Sequence, residues 1–406
     1  MSESPVVDRH RVRTPLWTAL IGAVLAWIPA HATSAADYRP LGEEIVAHVR
    51  EQFLDGKRAL AWAEKHSRYG AAAKTAADFE RLTSIALKEL GTSHTAYYPK
   101  DSSENLQLRS LYASIIKDPA PEIESVGADF VRSQGAFFVR QVFANGPAAA
   151  AGLLRGDRVI AADGKSFDPV LSLRGKDGRS VSFEVARAQN APHVRLGIVP
   201  RKTKPAEEWL AAQDSASQVL ERNGRKVAYA SVYSCAGPKP LELLQRIMDE
   251  RFAEAGALVL DLRDGWGGCP PDFLKLFNPV APTLRMIGRD GKERVWAAAW
   301  RKPVVLVTNH NTRSGKEIVA FEFHKHSIGP IVGERTAGAF LMGRPIPLSD
   351  GSLLYLAVEK CEIDGIALEG SGVTPTVEVP DTLFYAAGAD PQRERALTLA
   401  AELAAG

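Results

Sequence analysis

The sequence predicts an α+β chain of several domains: an N-terminal helical segment, a small β module and a wound α/β core. Three observations carry this. Apolar residues recur three and four apart up to about residue 111, the spacing of one helix face. From 120 to about 203 they alternate as in half-buried strands, between glycine-containing turns. Beyond 204, strand-like apolar runs take turns with helix-length segments, as in a layered α/β sheet. The expected divisions are a signal peptide over 1–36, a helical region over 37–118, the β module over 119–203, the core over 204–395 and a C-terminal tail over 396–406.

At 406 residues and 45% hydrophobic, the chain is long enough to bury more than one core. Its 50 basic and 48 acidic residues nearly cancel, and no basic stripe stands out, which argues against nucleic acid as a partner.

The first 36 residues read as a targeting segment. Arg9, Arg11 and Arg13 precede an apolar stretch over 16–30 that is short for a membrane span, and ATSAA offers small residues for cleavage after Ala35 or Ala36. An uncleaved anchor is the alternative. Cleavage leaves 47 basic and 46 acidic residues on a chain expected to work in the periplasm or outside the cell. Cys235, Cys269 and Cys361 are too few for a disulfide framework or a metal cage; one disulfide and one free thiol are possible, with the pair left open.

The helical region contains EEIVAHVREQFL, RALAWAEKHSRYG and AADFERLTSIALKELG, the last carrying Phe79, Leu82, Ile85, Ala86 and Leu90 on one face before Gly91 stops it. Ser93 and His94 follow in the turn. In the β module, GAFFVRQVF is a strand, NGPAAAAGL a turn with a short helix, and RGDRVIAADGKSF a strand closed by Asp-Gly; VSFEVARA and HVRLGIVP are further strands. KTKPAEEW reads as a linker and 209–222 as a helix. The core alternates KVAYASVYS, LELLQRIMDERFAEA, ALVLDLRDGWGG, DFLKLF, PVVLVT, EIVAFEFHKH and PIVGERT, and ends on a late strand, LLYLAVEKCEI, beside a turn at Asp350-Gly351.

PVVLVT breaking into NHNTRSGKEIVAF places Ser314 at a strand-to-helix corner, with Gly315 next and the helix opening at Glu317. Backbone N–H groups at such a corner lack internal partners and can hold a developing oxyanion. A serine hydroxyl is nearly inert at neutral pH and needs an adjacent base. His324 and His326 lie two apart with no third ligand at zinc-like spacing, and no Walker-type loop occurs, so neither a metal nor an organic cofactor is expected.

The β module, with its order of strand, GPAAAAGL and RGDRVIAADGK, resembles a PDZ domain of the bacterial protease type, although the usual carboxylate-loop glycines are not evident around Gly127. Four stretches in order, LGTSHT, DLRDGWGG, TRSGKEIVA and LEGSGVTP, with that module between the first two, resemble the serine peptidase superfamily of C-terminal processing (tail-specific) proteases and the tricorn core protease. The resemblance covers most of the mature chain and implies a crotonase/ClpP-like core. It implies Ser314 as nucleophile. In the tail-specific branch a lysine in a GERTFGKG-like stretch is the base, but GERTAGAF here puts Ala339 at that position. Lys316 is no substitute, since residues two apart on a helix do not share a face.

The tricorn-like branch instead implies His94 as base, supported by Ser93 and Glu369. The glycines of DLRDGWGG let backbone approach a substrate closely, and Gly267 N–H with Gly315 N–H is the expected oxyanion pair. The implied function is an exported serine endopeptidase acting on extended or unfolded polypeptides through an acyl-enzyme, with the PDZ-like module presenting substrate. The missing lysine raises a different class: a catalytically silent peptide- or ligand-binding protein on the same scaffold.

Overall fold

The computed structural model describes residues 37–405 apart from 279 and 298; the expected signal peptide lies outside the described residues. Helices Arg39–Gln52, Gly56–Lys65 and Ala76–Lys88 come first. Asp55 accepts the Arg58 N–H and Thr75 the Asp78 N–H, caps that stabilise a helix start by about 1 kcal/mol each. The helices bury Ile45, Val49, Trp62, Phe79 and Leu87 against a three-stranded antiparallel sheet. Its order is Ala96–Tyr98, Leu353–Lys360, Leu341–Pro347, the last two joined through the turn at Asp350-Gly351. The lead therefore supplies a strand as well as helices, and Ala96 lies opposite Tyr355. This pairing carries the Ser93-His94 turn to the edge of the core.

Strands Ala128–Ser133, Ala136–Val142, Arg158–Ala162, Val181–Ala186 and Val194–Ile198 form an antiparallel sheet in chain order. It closes over its own apolar centre of Val126, Val139, Leu153, Phe167, Leu173 and Phe183.

The largest layer is a six-stranded sheet in the order Gln218–Arg222, Arg225–Ser231, Ala257–Asp261, Val304–Thr308, Ile331–Gly333, Val377–Glu378. The first pair is antiparallel and the rest are parallel. Every residue of Ala257–Asp261 and Val304–Thr308 is buried, as central strands covered on both faces require. Helices Lys239–Glu250 and Gly315–Lys325 cover one face through Leu244, Ile247, Val319 and Phe323. Helix Pro391–Leu403 covers the other through Ala396, Leu397, Ala400 and Ala401.

Two expectations need correction. The helix expected over 209–222 is Pro205–Ala216, and Gln218–Arg222 is a strand. Asn223 and Gly224 both have positive φ (51° and 71°), the geometry of a two-residue hairpin turn, so RNGR folds the chain back and ends the helix earlier. The segment from 396 is no tail either. It belongs to a helix whose small apolar residues seal the sheet.

Candidate active site

The strand Val304–Thr308 ends in a turn pinned by Thr312, whose hydroxyl donates to the Leu262 carbonyl at 3.2 Å and accepts the Asn309 N–H at 3.0 Å. Ser314 then takes φ 56° and ψ −131° before the helix begins at Gly315. A non-glycine residue held there costs roughly 1–3 kcal/mol, so the surroundings must fix it. They do so through Glu317. Ser314 and Glu317 form a capping box, and the buried carboxylate accepts four donors: Thr336 Oγ1 at 2.6 Å, Gly338 N and Ala339 N at 2.8 Å, and Ser314 N at 3.2 Å. Burial raises the Glu317 pKa even against these donors. The Ser314 N–H also donates to the Ala339 carbonyl at 2.9 Å. One carboxylate thus fastens the serine corner to the 336–339 loop.

The DGWGG loop packs directly against this corner. A Cβ added to Gly267 would lie 2.6 Å from Ser314 Cβ and 2.9 Å from Gly315 N, and one added to Gly315 would lie 2.4 Å from Cys269 N. Only glycine permits that approach. Among the described residues, neither Gly267 N nor Gly315 N donates to a protein acceptor. Cys235 and Cys269 form the disulfide, leaving Cys361 as the free thiol, so the bridge anchors the loop immediately after Gly267-Gly268.

His94 is only 1% exposed. Its Nδ1 lies 2.8 Å from Ser93 Oγ, which donates to Glu369 Oε2 at 2.9 Å; Glu369 Oε1 accepts the Ser93 N–H at 3.0 Å. Because the Ser93 proton goes to the carboxylate, its oxygen accepts from Nδ1–H, which leaves the lone pair on Nε2. That Nε2 is buried and has no hydrogen-bond partner. Burial, assisted by the charge on Arg313, lowers the His94 pKa to about 3, so the ring is neutral across the ordinary range.

The structure therefore joins Ser93, His94 and Glu369 in one hydrogen-bonded chain and packs Gly267 and Gly315 onto Ser314. It does not close a hydrogen bond between His94 and Ser314. The two halves meet through shared neighbours. Glu369 Oε2 also accepts the Phe340 N–H at 2.7 Å, one residue after the Ala339 carbonyl that holds Ser314 N. Arg313 donates to the Ser93 carbonyl at 3.3 Å. His94 packs on Tyr355, Tyr355 on Trp266, and Trp266 adjoins Gly267.

Lys316 indeed points elsewhere. Fully buried, its Nζ donates to the carbonyls of Asp264 at 2.6 Å and Tyr233 at 3.3 Å, under the glycine loop, and burial lowers its pKa to about 7. Neither this strut nor the roles of Arg313 and the disulfide is visible in the motifs. The only sequence signal for the strut and for Arg313 is the pair of cations flanking Ser314-Gly315.

With this geometry in view, residues 226–379 match the family described as Peptidase family S41. The chain is 27% identical over 398 residues to "Putative tricorn protease homolog 2" of Streptomyces coelicolor, covering 91% of this chain and 32% of that protein. It is 25% identical over 280 residues to "Carboxy-terminal processing protease CtpB" of Bacillus subtilis, covering 65% of this chain and 57% of the relative. It thus spans about a third to somewhat over half of these relatives. The fold is that of the tricorn protease crystal structure (TM-score 0.57, 19% identity, 91% of this chain and 37% of the other). It is likewise that of the photosystem II D1 C-terminal processing protease (TM-score 0.51, 19% identity, 88% and 99%). The matched residues take in Ser314, Gly267, Gly315 and Glu369, whereas Ser93 and His94 come from the helical lead outside them.

Proposed function

We propose that this protein is an exported serine endopeptidase that hydrolyses extended or unfolded polypeptides through a Ser–His–Ser–Glu relay. The observation that carries the proposal is the chain Glu369–Ser93–His94, which leaves His94 Nε2 without a partner, tied through Arg313 and Phe340 to the neighbours of a strained Ser314. Ser314 Oγ adds to the scissile carbonyl as its proton passes to His94 Nε2. The new oxyanion receives the free N–H groups of Gly267 and Gly315, and the imidazolium returns the proton to the leaving amine. Water, deprotonated by the same Nε2, then cleaves the acyl-enzyme. The groove beside strand Ala128–Ser133, lined by Val126, Phe130, Val170 and Leu173, supports a substrate-presenting role for the PDZ-like module. The buried Cys235–Cys269 bridge supports an oxidising, extracytoplasmic setting.

A fluorophosphonate probe tests this. It is expected to label the wild type at Ser314 and not Ser314→Ala. Absence of label throughout about pH 6–9, the range around an ordinary histidine pKa, would instead identify a silent binding scaffold. Gly267→Ala should slow labelling by about 10²–10³-fold, the usual cost of disabling an oxyanion donor. The added methyl would collide with Ser314 Cβ, so the loop must retreat. Labelling at the wild-type rate would remove Gly267 from the oxyanion pair.

A further inference from the structure

We infer that Arg313, with Tyr98, Tyr112 and Tyr355, forms a subsite beside Ser314 that binds a carboxylate of the polypeptide, resting on the hydrolase chemistry proposed above. Arg313 is partly buried and immediately precedes Ser314. Its guanidinium makes a single hydrogen bond, to the Ser93 carbonyl, and stands 5.6 Å from the centre of the Trp266 ring. Among the described residues it has no carboxylate partner. A guanidinium carries five N–H donors, so most of its capacity is unused.

The walls around it are aromatic rather than acidic. Tyr98, Tyr112 and Tyr355 all lie within reach of the Arg313 charge, and none of their hydroxyls has a hydrogen-bond partner among the described residues. Burial pushes Tyr98 up to about 12 and raises the other two, so all three are neutral donors at working pH. Glu104 is the carboxylate whose charge reaches Tyr98. Trp266, held by a 2.9 Å bond from Nε1 to Gln107, fixes the floor. An unneutralised fork of donors with three phenols on a low-dielectric wall suits a planar carboxylate, which accepts two parallel N–H bonds. Such a group reaches the site either as an acidic side chain near the scissile bond or as the chain's own C-terminus.

The test uses Ser314→Ala, which cannot turn over substrate, and fluorescein-labelled peptides of one sequence in three forms. One carries an internal Asp or Glu and an amidated end; one carries Asn or Gln and a free C-terminus; one carries neither carboxylate. At least one of the first two is expected to bind about tenfold or more tightly than the third, the scale of a charge-assisted hydrogen-bonded pair. Whichever arm shows the gain identifies the source. The gain should vanish in Arg313→Gln, shrink in Tyr355→Phe and survive in part in Arg313→Lys. Equal binding of all three forms, or a gain unchanged by Arg313→Gln, overturns the subsite. The ratio among peptides is unaffected by any general weakening that a variant causes. Fluorophosphonate labelling of the parent chain runs alongside: no label there sinks the hydrolase chemistry, whereas label with equal peptide binding sinks only the subsite.

Discussion

Replacing His94 by alanine is expected to lower kcat/KM by about 10⁴-fold or more, the scale seen when the base of a serine relay is removed. Fluorophosphonate labelling should fall in parallel while the fold persists. The ring belongs to a short turn of the lead, and its loss leaves the Ser93–Glu369 bond in place. Intact hydrolysis in His94→Ala would mean that another group deprotonates Ser314. The pH profile gives an independent check. Only neutral imidazole accepts the proton, and burial holds the His94 pKa at about 3 rather than the ordinary 6.5. The acid limb of kcat/KM should therefore lie well below about pH 6, far from the reference histidine value. An acid limb at the ordinary value would mean that the ring meets water. Stability carries the same signature. With the folded pKa depressed, the unfolded chain takes up the proton first, so stability is full above about 6.5 and is lost as pH falls toward about 3. In the proposed relay so weak a base suffices because the imidazolium would form together with the oxyanion. Each charge would then stabilise the other.

The fold, and which residues gather at the candidate site, were legible because their signals are local or ordered along the chain. Period and turn chemistry gave the helical lead, the β module and the wound sheet. Ser93 and His94 come from one stretch of a four-part order and Glu369 from another, and all three lie in one hydrogen-bonded chain. What escaped depends on approach in space. The four donors on Glu317 come from 314, 336, 338 and 339, and nothing at position 317 announces them. Three cysteines allow three pairings, and only the return of strand Arg225–Ser231 beside the glycine loop selects 235 with 269. The hairpin at Asn223-Gly224 was hidden because QVLER also suits a helix continued from Trp209. The terminal helix was hidden for a related reason. Its buried face is mostly alanine, whose weak apolar pattern does not reveal a seat on the sheet.

Lys316→Met is expected to flatten the pH dependence of stability between about 7 and 10.5, and the sign follows from burial. In the folded chain the ammonium is stripped of water and its pKa falls to about 7, with Asp264 and Asp261 only partly opposing and Arg140 adding to the shift. Unfolded, the same lysine titrates near 10.5. As pH drops from 10.5 the unfolded chain binds a proton that the folded chain refuses, at up to about 1.4 kcal/mol per pH unit. Stability contributed by this residue is thus greatest above 10.5, declines to about 7 and is level below. Urea unfolding of Ser314→Ala with and without Lys316→Met, compared at each pH, cancels every other titrating group. A difference that stays constant across the window would show that the amine is solvated in the folded state. The amine also holds the Asp264 carbonyl at the start of a turn in which Asp264, Gly265 and Gly268 all have positive φ (54°, 66° and 88°). Methionine cannot donate there, so the turn that aims Gly267 N–H should loosen, and labelling of an active-serine Lys316→Met chain should slow even though Lys316 never touches the serine. A slope that flattens while labelling keeps its rate would leave the lysine a mere guest under the loop. Both changes together would make it the strut that keeps an oxyanion donor in place.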